Sequence, residues 1–166
     1  MNDCSVAEKT VKILSDNDLK IAVAESLTGG MVAAEFVDVP GVSKVFIEGI
    51  VAYANEAKIS RLGVKKETLE KFGAVSEETA REMAEGLIKN GVNVSLSTTG
   101  IAGPSGGSAA KPVGTVCFGF RVNGITYTKK QFFNGNRQKI RKKSTDFALN
   151  ALYLLLSDDI DAFNAL

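Results

Sequence analysis

The sequence predicts an α/β domain with a mixed sheet, and three observations predict it. In the N-terminal part, segments with apolar residues at helical spacing alternate with short apolar runs, the order produced when helices connect strands. Two later runs, "TVCFGFRV" and "ITYTKKQFF", flank Asn123-Gly124, a pair suited to a type I′ hairpin turn. Glycine-rich segments stand where strands end, which is where an open α/β sheet carries its site.

Taken in order, Ala7, Val11 and Leu14 mark an amphipathic helix from Ser5 to about Asn17, closed by "SDND". "LKIAVA" is continuously apolar and reads as a buried strand. A helix over Met31 to Val37 follows the turn "SLTGG" and stops at "DVPG". "SKVFIE" is expected as a short helix, "GIVAYA" as a strand, and "NEAKISRLG" as a helix begun by Asn55 and ended near Gly63. Another short helix is expected in "VKKETLEKFG". Ser76 should cap "EETAREMAEGLIKNG", with Ala80, Met83, Ala84, Leu87 and Ile88 on one face. "VNVSLSTTG" is a strand, and the loop "GIAGPSGGSAAKPVG" leads to the hairpin. The last helix should run from about Arg137 to Leu156, with Ile140, Phe147, Ala148, Ala151, Leu154 and Leu155 inward. "SDDIDAFNAL" is expected to fray or to lie against a partner subunit.

A chain of 166 residues, 45% hydrophobic and 23% charged, fits one domain spanning 1–166. Its formal net charge of +1 offers no general attraction to nucleic acid or to an anionic membrane, and neither partner is expected. No secretory leader or membrane-spanning run is present in the sequence, so a cytoplasmic location is expected. Cys4 and Cys117 have no neighbours at metal-ligand spacing, and neither a metal nor a cofactor is expected. There is no histidine, which excludes Ser-His-Asp and Cys-His chemistry; a hydrolase built on this chain needs another base.

Five segments could carry chemistry. "AESLTGG" offers Glu25, Ser26 and Thr28, with Gly29 and Gly30 opening a helix whose unpaired N–H groups suit a phosphate or carboxylate; locally it reads equally as a capped tight turn. Ser43 in "PGVSKVF" reads as a helix cap or as a nucleophile in need of a base. "YANEAK" supplies the one obvious base, Lys58, provided that burial or another cation lowers its pKa, and Tyr53 could relay a proton or orient it. The loop containing Gly100 and Gly103 can bring main-chain N–H groups close to a ligand, with Thr99 facing it from the strand end. In "NGNRQKIRKK" most cations read as a solvated helix surface, but Arg137 at the helix start could clamp a phosphate bidentately.

Together "AESLTGG", "PGVS", "GIVAYANEAK", "GAVSEETAREMA", "TTGIAGPSGG", "KPVGTV" and the Phe133–Arg137 "FNGNR" segment resemble the C-terminal domain of the CinA family, whose stand-alone form is the PncC-type nicotinamide mononucleotide deamidase. The resemblance extends from the first strand to the last helix. It implies a three-layer α/β/α fold and a homo-oligomer without metal. It also implies hydrolysis of the carboxamide of nicotinamide mononucleotide, giving nicotinic acid mononucleotide and ammonia in pyridine nucleotide salvage.

Carried over residue by residue, Ser26, Ser43, Tyr53, Lys58, Thr99 and Arg137 fall on the family's functional positions. On this basis Ser43 is expected to attack the amide carbon, Lys58 to act as base and then acid, and Tyr53 to assist. Ser26 is the rival nucleophile. Arg137 is expected to hold the 5′-phosphate, and Glu25 to orient Lys58 or a ribose hydroxyl. Thr28, Gly29 and Gly30 would supply donors to the mononucleotide. Leu27 and Thr98 stand where relatives often carry cysteine and alanine, changes that remove no proposed reactive group. The sequence does not include the large N-terminal domain of full-length CinA proteins, and activities of that domain are not carried over. A non-catalytic mononucleotide-binding module linked to competence or the DNA-damage response is the competing expectation.

Overall fold

The computed structural model describes residues 4–166 and arranges them as a five-stranded sheet between two helical layers. The strands are β1 (Ile21–Glu25), β2 (Phe46–Val51), β3 (Val94–Gly100), β4 (Thr115–Val122) and β5 (Ile125–Phe132), in the spatial order β2-β1-β3-β4-β5. β1 runs parallel to both β2 and β3, whereas β3–β4 and β4–β5 are antiparallel. The sheet is therefore mixed, and the C-terminal hairpin turns at Asn123-Gly124, both with positive φ as a type I′ turn requires.

The layers follow from side-chain alternation along the strands. On one face Ile21, Val23, Val94, Leu96, Val116, Phe118 and Phe120 pack against α1 (Val6–Asp16), α2 (Met31–Val37) and α6 (Arg137–Leu156) in the larger core. On the other, Ala22 and Ala24 meet Leu62, Met83 and Leu87 from α3 (Asn55–Leu62), from α5 (Glu77–Glu85) and from just beyond it. Small residues line this second face of β3, and they let α5 come close. Ser95 and Ser97 donate to the carbonyls of Ala84 and Ala80, both at 2.6 Å. α4 (Lys66–Phe72) completes that layer.

Three expectations need correction. "SKVFIE" is not a helix: Val42–Lys44 form one 3-10 turn, and from Phe46 the chain is already β2, with the Phe46 ring stacked on Phe36. α5 stops at Glu85 rather than reaching Gly91, because Gly86 passes against the end of α3. A Cβ at Gly86 would lie 1.8 Å from the Leu62 carbonyl oxygen. Leu87 still enters the smaller core, but Ile88 turns to the surface. The C-terminal segment does not fray. It forms α7 (Ile160–Ala165), capped by Asp159, and buries Phe163 edge-on against Phe120 and Tyr127 of its own sheet.

Candidate functional site

Parity along β1 decides what the turn after it can do. Ile21 and Val23 face the larger core and Ala22 and Ala24 the smaller, so Glu25 continues toward α2 and Ser26 toward α3. The Glu25 carboxylate is buried, and it accepts from the N–H groups of Gly30 (2.9 Å), Val32 (3.2 Å) and Ala33 (2.8 Å). It therefore satisfies the start of α2 from within the chain, which corrects two expectations: Gly30 and the first amides of α2 are not free to cradle an anion, and Glu25 does not orient Lys58. Gly29 and Gly30, at φ 60° and 98°, are the left-handed steps that carry the chain over this carboxylate.

Replacing Glu25 by glutamine should cost about 2 kcal/mol of stability, because an amide group then faces helix N–H donors that had an ionised acceptor. Urea unfolding of Glu25→Gln beside the wild type measures this. An unchanged midpoint and slope would remove the capping role.

On the opposite face lies a small polar centre. Lys58, on the first turn of α3, is 1% exposed and points its ammonium at the end of β1. Its Nζ lies 3.2 Å from Ser26 Oγ, 3.0 Å from the Ala52 carbonyl oxygen and 3.1 Å from that of Tyr53. No carboxylate is within ion-pair distance of Lys58 among the described residues. Burial without a counter-charge penalises the ammonium form and holds the Lys58 pKa below its ordinary value of 10.5. A neutral amine would suit the same three contacts: its two N–H groups donate to the carbonyls, and its lone pair accepts the Ser26 hydroxyl proton.

Around this pair is a cavity of about 180 Å³ lined by Ser26, Tyr53, Asn55, Val75, Thr99 and Arg137, with Gly100 beside Thr99. Arg137, the first residue of α6, donates to the Gly103 carbonyl oxygen at 2.9 Å and to Tyr53 Oη at 3.1 Å. A guanidinium carries five donors, so these two bonds fix its plane and leave others for an anion. Thr99 donates its hydroxyl to the Ala74 carbonyl oxygen, tying β3 to the segment before α5, and retains lone pairs toward the cavity. Gly103 contributes through its carbonyl rather than as an N–H donor.

The chain thus brings together Ser26, Lys58, Tyr53, Thr99, Gly100 and Arg137. Ser43 is not among them. It is exposed in the 3-10 turn before β2, and the parallel register that pairs Ile21 with Phe46 sets it at the opposite end of the sheet. The five residues of β1 alone span about 17 Å, far beyond hydrogen-bond reach of Lys58. The Thr28 hydroxyl also turns away: it is paired at 2.7 Å with Thr98 Oγ1 in the larger core layer. Asn55, Ala74 and Val75 line the cavity without having been singled out. Asn55 carried a signal, since it begins the helix that presents Lys58, whereas Ala74 and Val75 arrive only through the packing of α5.

Comparison with known proteins places these residues in a recognised family. The family model of the CinA C-terminal domain matches residues 3–156. A CinA-like protein of Kosmotoga olearia is 58% identical over 147 residues, covering 88% of this chain and 36% of that protein. The chain spans about a third of the length of the curated relatives it matches. Among solved structures, a competence or damage-inducible protein from Enterobacter asburiae superposes with a TM-score of 0.87 at 35% identity, covering 93% of this chain and 99% of that one. The competence/damage inducible protein CihA from Agrobacterium tumefaciens gives 0.84 at 38% identity over 95% and 98%.

Proposed function

We propose, from the premise that this chain belongs to the CinA C-terminal domain family, that it is an amidohydrolase converting nicotinamide mononucleotide and water to nicotinic acid mononucleotide and ammonia. The observation that carries this reading is the buried, uncompensated Lys58 amine within 3.2 Å of the Ser26 hydroxyl. A module that only bound nucleotide would gain nothing from holding a lysine in a site that disfavours its charge.

The steps follow from the contacts. Ser26 Oγ gives its proton to Lys58 Nζ and forms a bond to the carboxamide carbon, whose carbonyl oxygen takes the negative charge. The carbon–nitrogen bond then breaks, and the leaving nitrogen departs as ammonia with the proton from Lys58. Water attacks the resulting ester and yields a proton to the same amine, and Ser26 Oγ leaves with that proton as the carboxylic acid forms. Ser26, the rival nucleophile on sequence grounds, takes the role first given to Ser43. Tyr53 acts through position: its carbonyl holds Lys58 and its hydroxyl accepts from Arg137. No metal takes part in these steps, and among the described residues no cluster of His, Cys, Asp and Glu suits one.

Arg137 is assigned to the 5′-phosphate, supported by its remaining N–H donors at the cavity wall. Arg137→Ala should raise KM for the mononucleotide at least tenfold, by about the worth of one charge-assisted hydrogen bond. It should leave turnover of the phosphate-free riboside almost unchanged. Equal losses on both substrates would place the phosphate elsewhere.

Homo-oligomeric assembly belongs to the same reading. Its support is the unpaired β2 edge, where Ile47 and Val51 are about half exposed. Among the described residues no helix is long and apolar enough to cross a membrane, and we place the proposed salvage reaction in the cytoplasm. Ammonia release from nicotinamide mononucleotide by the purified protein is the direct test. Binding of the nucleotide without release would favour a regulatory module, the role closer to the competence and damage names of several relatives.

A further inference from the structure

The turn that follows Ser26 has a division of labour that the reaction scheme above does not use. Leu27 and Thr28 are buried, and both of their carbonyl oxygens are held by one side chain from α6. Arg141 Nε donates to the Leu27 oxygen at 2.9 Å, and Arg141 Nη2 to the Thr28 oxygen at 2.8 Å. In a trans peptide the N–H points opposite to the C=O. Fixing these two carbonyls toward Arg141 therefore turns the N–H groups of Thr28 and Gly29 away from it.

Neither N–H has an acceptor among the described residues. Of the neighbouring donors, Ser26 N–H goes to the Thr98 carbonyl oxygen, and Gly30, Val32 and Ala33 go to Glu25, while Leu27 N–H, like those of Thr28 and Gly29, has no acceptor among the described residues. The helix amides are thus consumed, and the unpaired donors belong to the turn itself. Thr28 is buried, and a buried main-chain N–H is seldom left unpaired; Gly29 is exposed, and both donors lie within three residues of the proposed nucleophile.

We propose that the Thr28 and Gly29 N–H groups form the oxyanion site for the tetrahedral intermediate built on Ser26, and that Arg141 is the positioning residue that sets them. The assignment rests on the amidohydrolase reading. It gives α6 two separate tasks one turn apart: Arg137 faces the cavity, and Arg141 locks the turn whose first residue, Leu27, lines it. Donors held in advance where negative charge develops lower the barrier without strengthening substrate binding, because the ground-state carbonyl needs them less.

The test uses Arg141→Met, which keeps the stem and removes the donors, and Arg141→Lys, which keeps the charge but cannot bridge two carbonyls. The probe is pyridine-3-boronic acid, which forms a tetrahedral, negatively charged adduct when the Ser26 oxygen bonds to boron and its proton passes to Lys58. In both variants kcat for the mononucleotide should fall about 100-fold with KM nearly unchanged, the effect typical of losing oxyanion donors. Boronate affinity should fall in parallel with kcat, and the amide signals of Thr28 and Gly29 should shift when the wild type binds the boronate. A kcat close to wild type in Arg141→Met, or Thr28 and Gly29 signals unmoved by the adduct, overturns the assignment. So does a loss that follows only the folded fraction, with kcat per folded molecule intact. If the wild type neither releases ammonia nor binds the boronate, the amidohydrolase reading fails first and takes this assignment with it.

Discussion

Ser26→Ala is expected to lower kcat for ammonia release by about 10^4-fold or more, the scale seen when a nucleophile is removed from a hydrolase. Ser43→Ala should keep the wild-type rate. The fold should tolerate the first change, since Ser26 Oγ is bonded only to Lys58 and its backbone N–H still pairs with the Thr98 carbonyl oxygen. Nucleotide binding should survive for the same reason: Arg137, Thr99 and the cavity wall are untouched. Steady-state rates and an equilibrium titration on both variants separate chemistry from binding. A Ser26→Ala enzyme with near wild-type kcat would end the dyad account, whereas loss in Ser43→Ala alone would return the nucleophile to the other end of the sheet.

The second large effect belongs to Lys58. Lys58→Met fills the same buried volume but offers no proton acceptor, and kcat should fall about 10^3-fold or more. In the wild type the rate should rise with pH as Lys58 loses its proton, and level off below its ordinary value of 10.5. Stability obeys the matching linkage. The folded pKa is depressed, so between it and 10.5 the unfolded chain binds more protons, and stability should increase with pH across that window. Lys58→Met should lack this rise. Comparing urea unfolding of the two proteins at several pH values within the window checks the sign; a wild-type stability that falls there relative to the variant would contradict a desolvated amine.

Much of the architecture was legible because local signals agreed with one another. The continuous apolar run of β1 and the Asn123-Gly124 turn each specify an element without long-range help, as does Ser76, which caps α5. Lys58 was legible by elimination, since a chain without histidine has few other bases. The choice between Ser26 and Ser43 was not legible, because both precede helical turns and the difference lies in the register of β1 against β2. Glu25 was misread for a related reason. A strand buried on both faces shows no alternation, so nothing in "IAVAE" announces that Glu25 faces α2 while its neighbour Ser26 faces Lys58. The early end of α5 at Gly86 likewise depends on where Leu62 crosses it, which no window around Gly86 contains.

The central claim is that Ser26, activated by Lys58, becomes covalently attached to the substrate. The most direct measurement is a rapid acid quench of the protein turning over nicotinamide mononucleotide, followed by mass mapping of its peptides. The account predicts an acyl mass from the pyridine carboxyl of the mononucleotide on the peptide carrying Ser26, absent in Ser26→Ala. The same mass on the peptide carrying Ser43, or steady ammonia release with no acyl peptide and one oxygen of labelled water entering product in a single step, would contradict it.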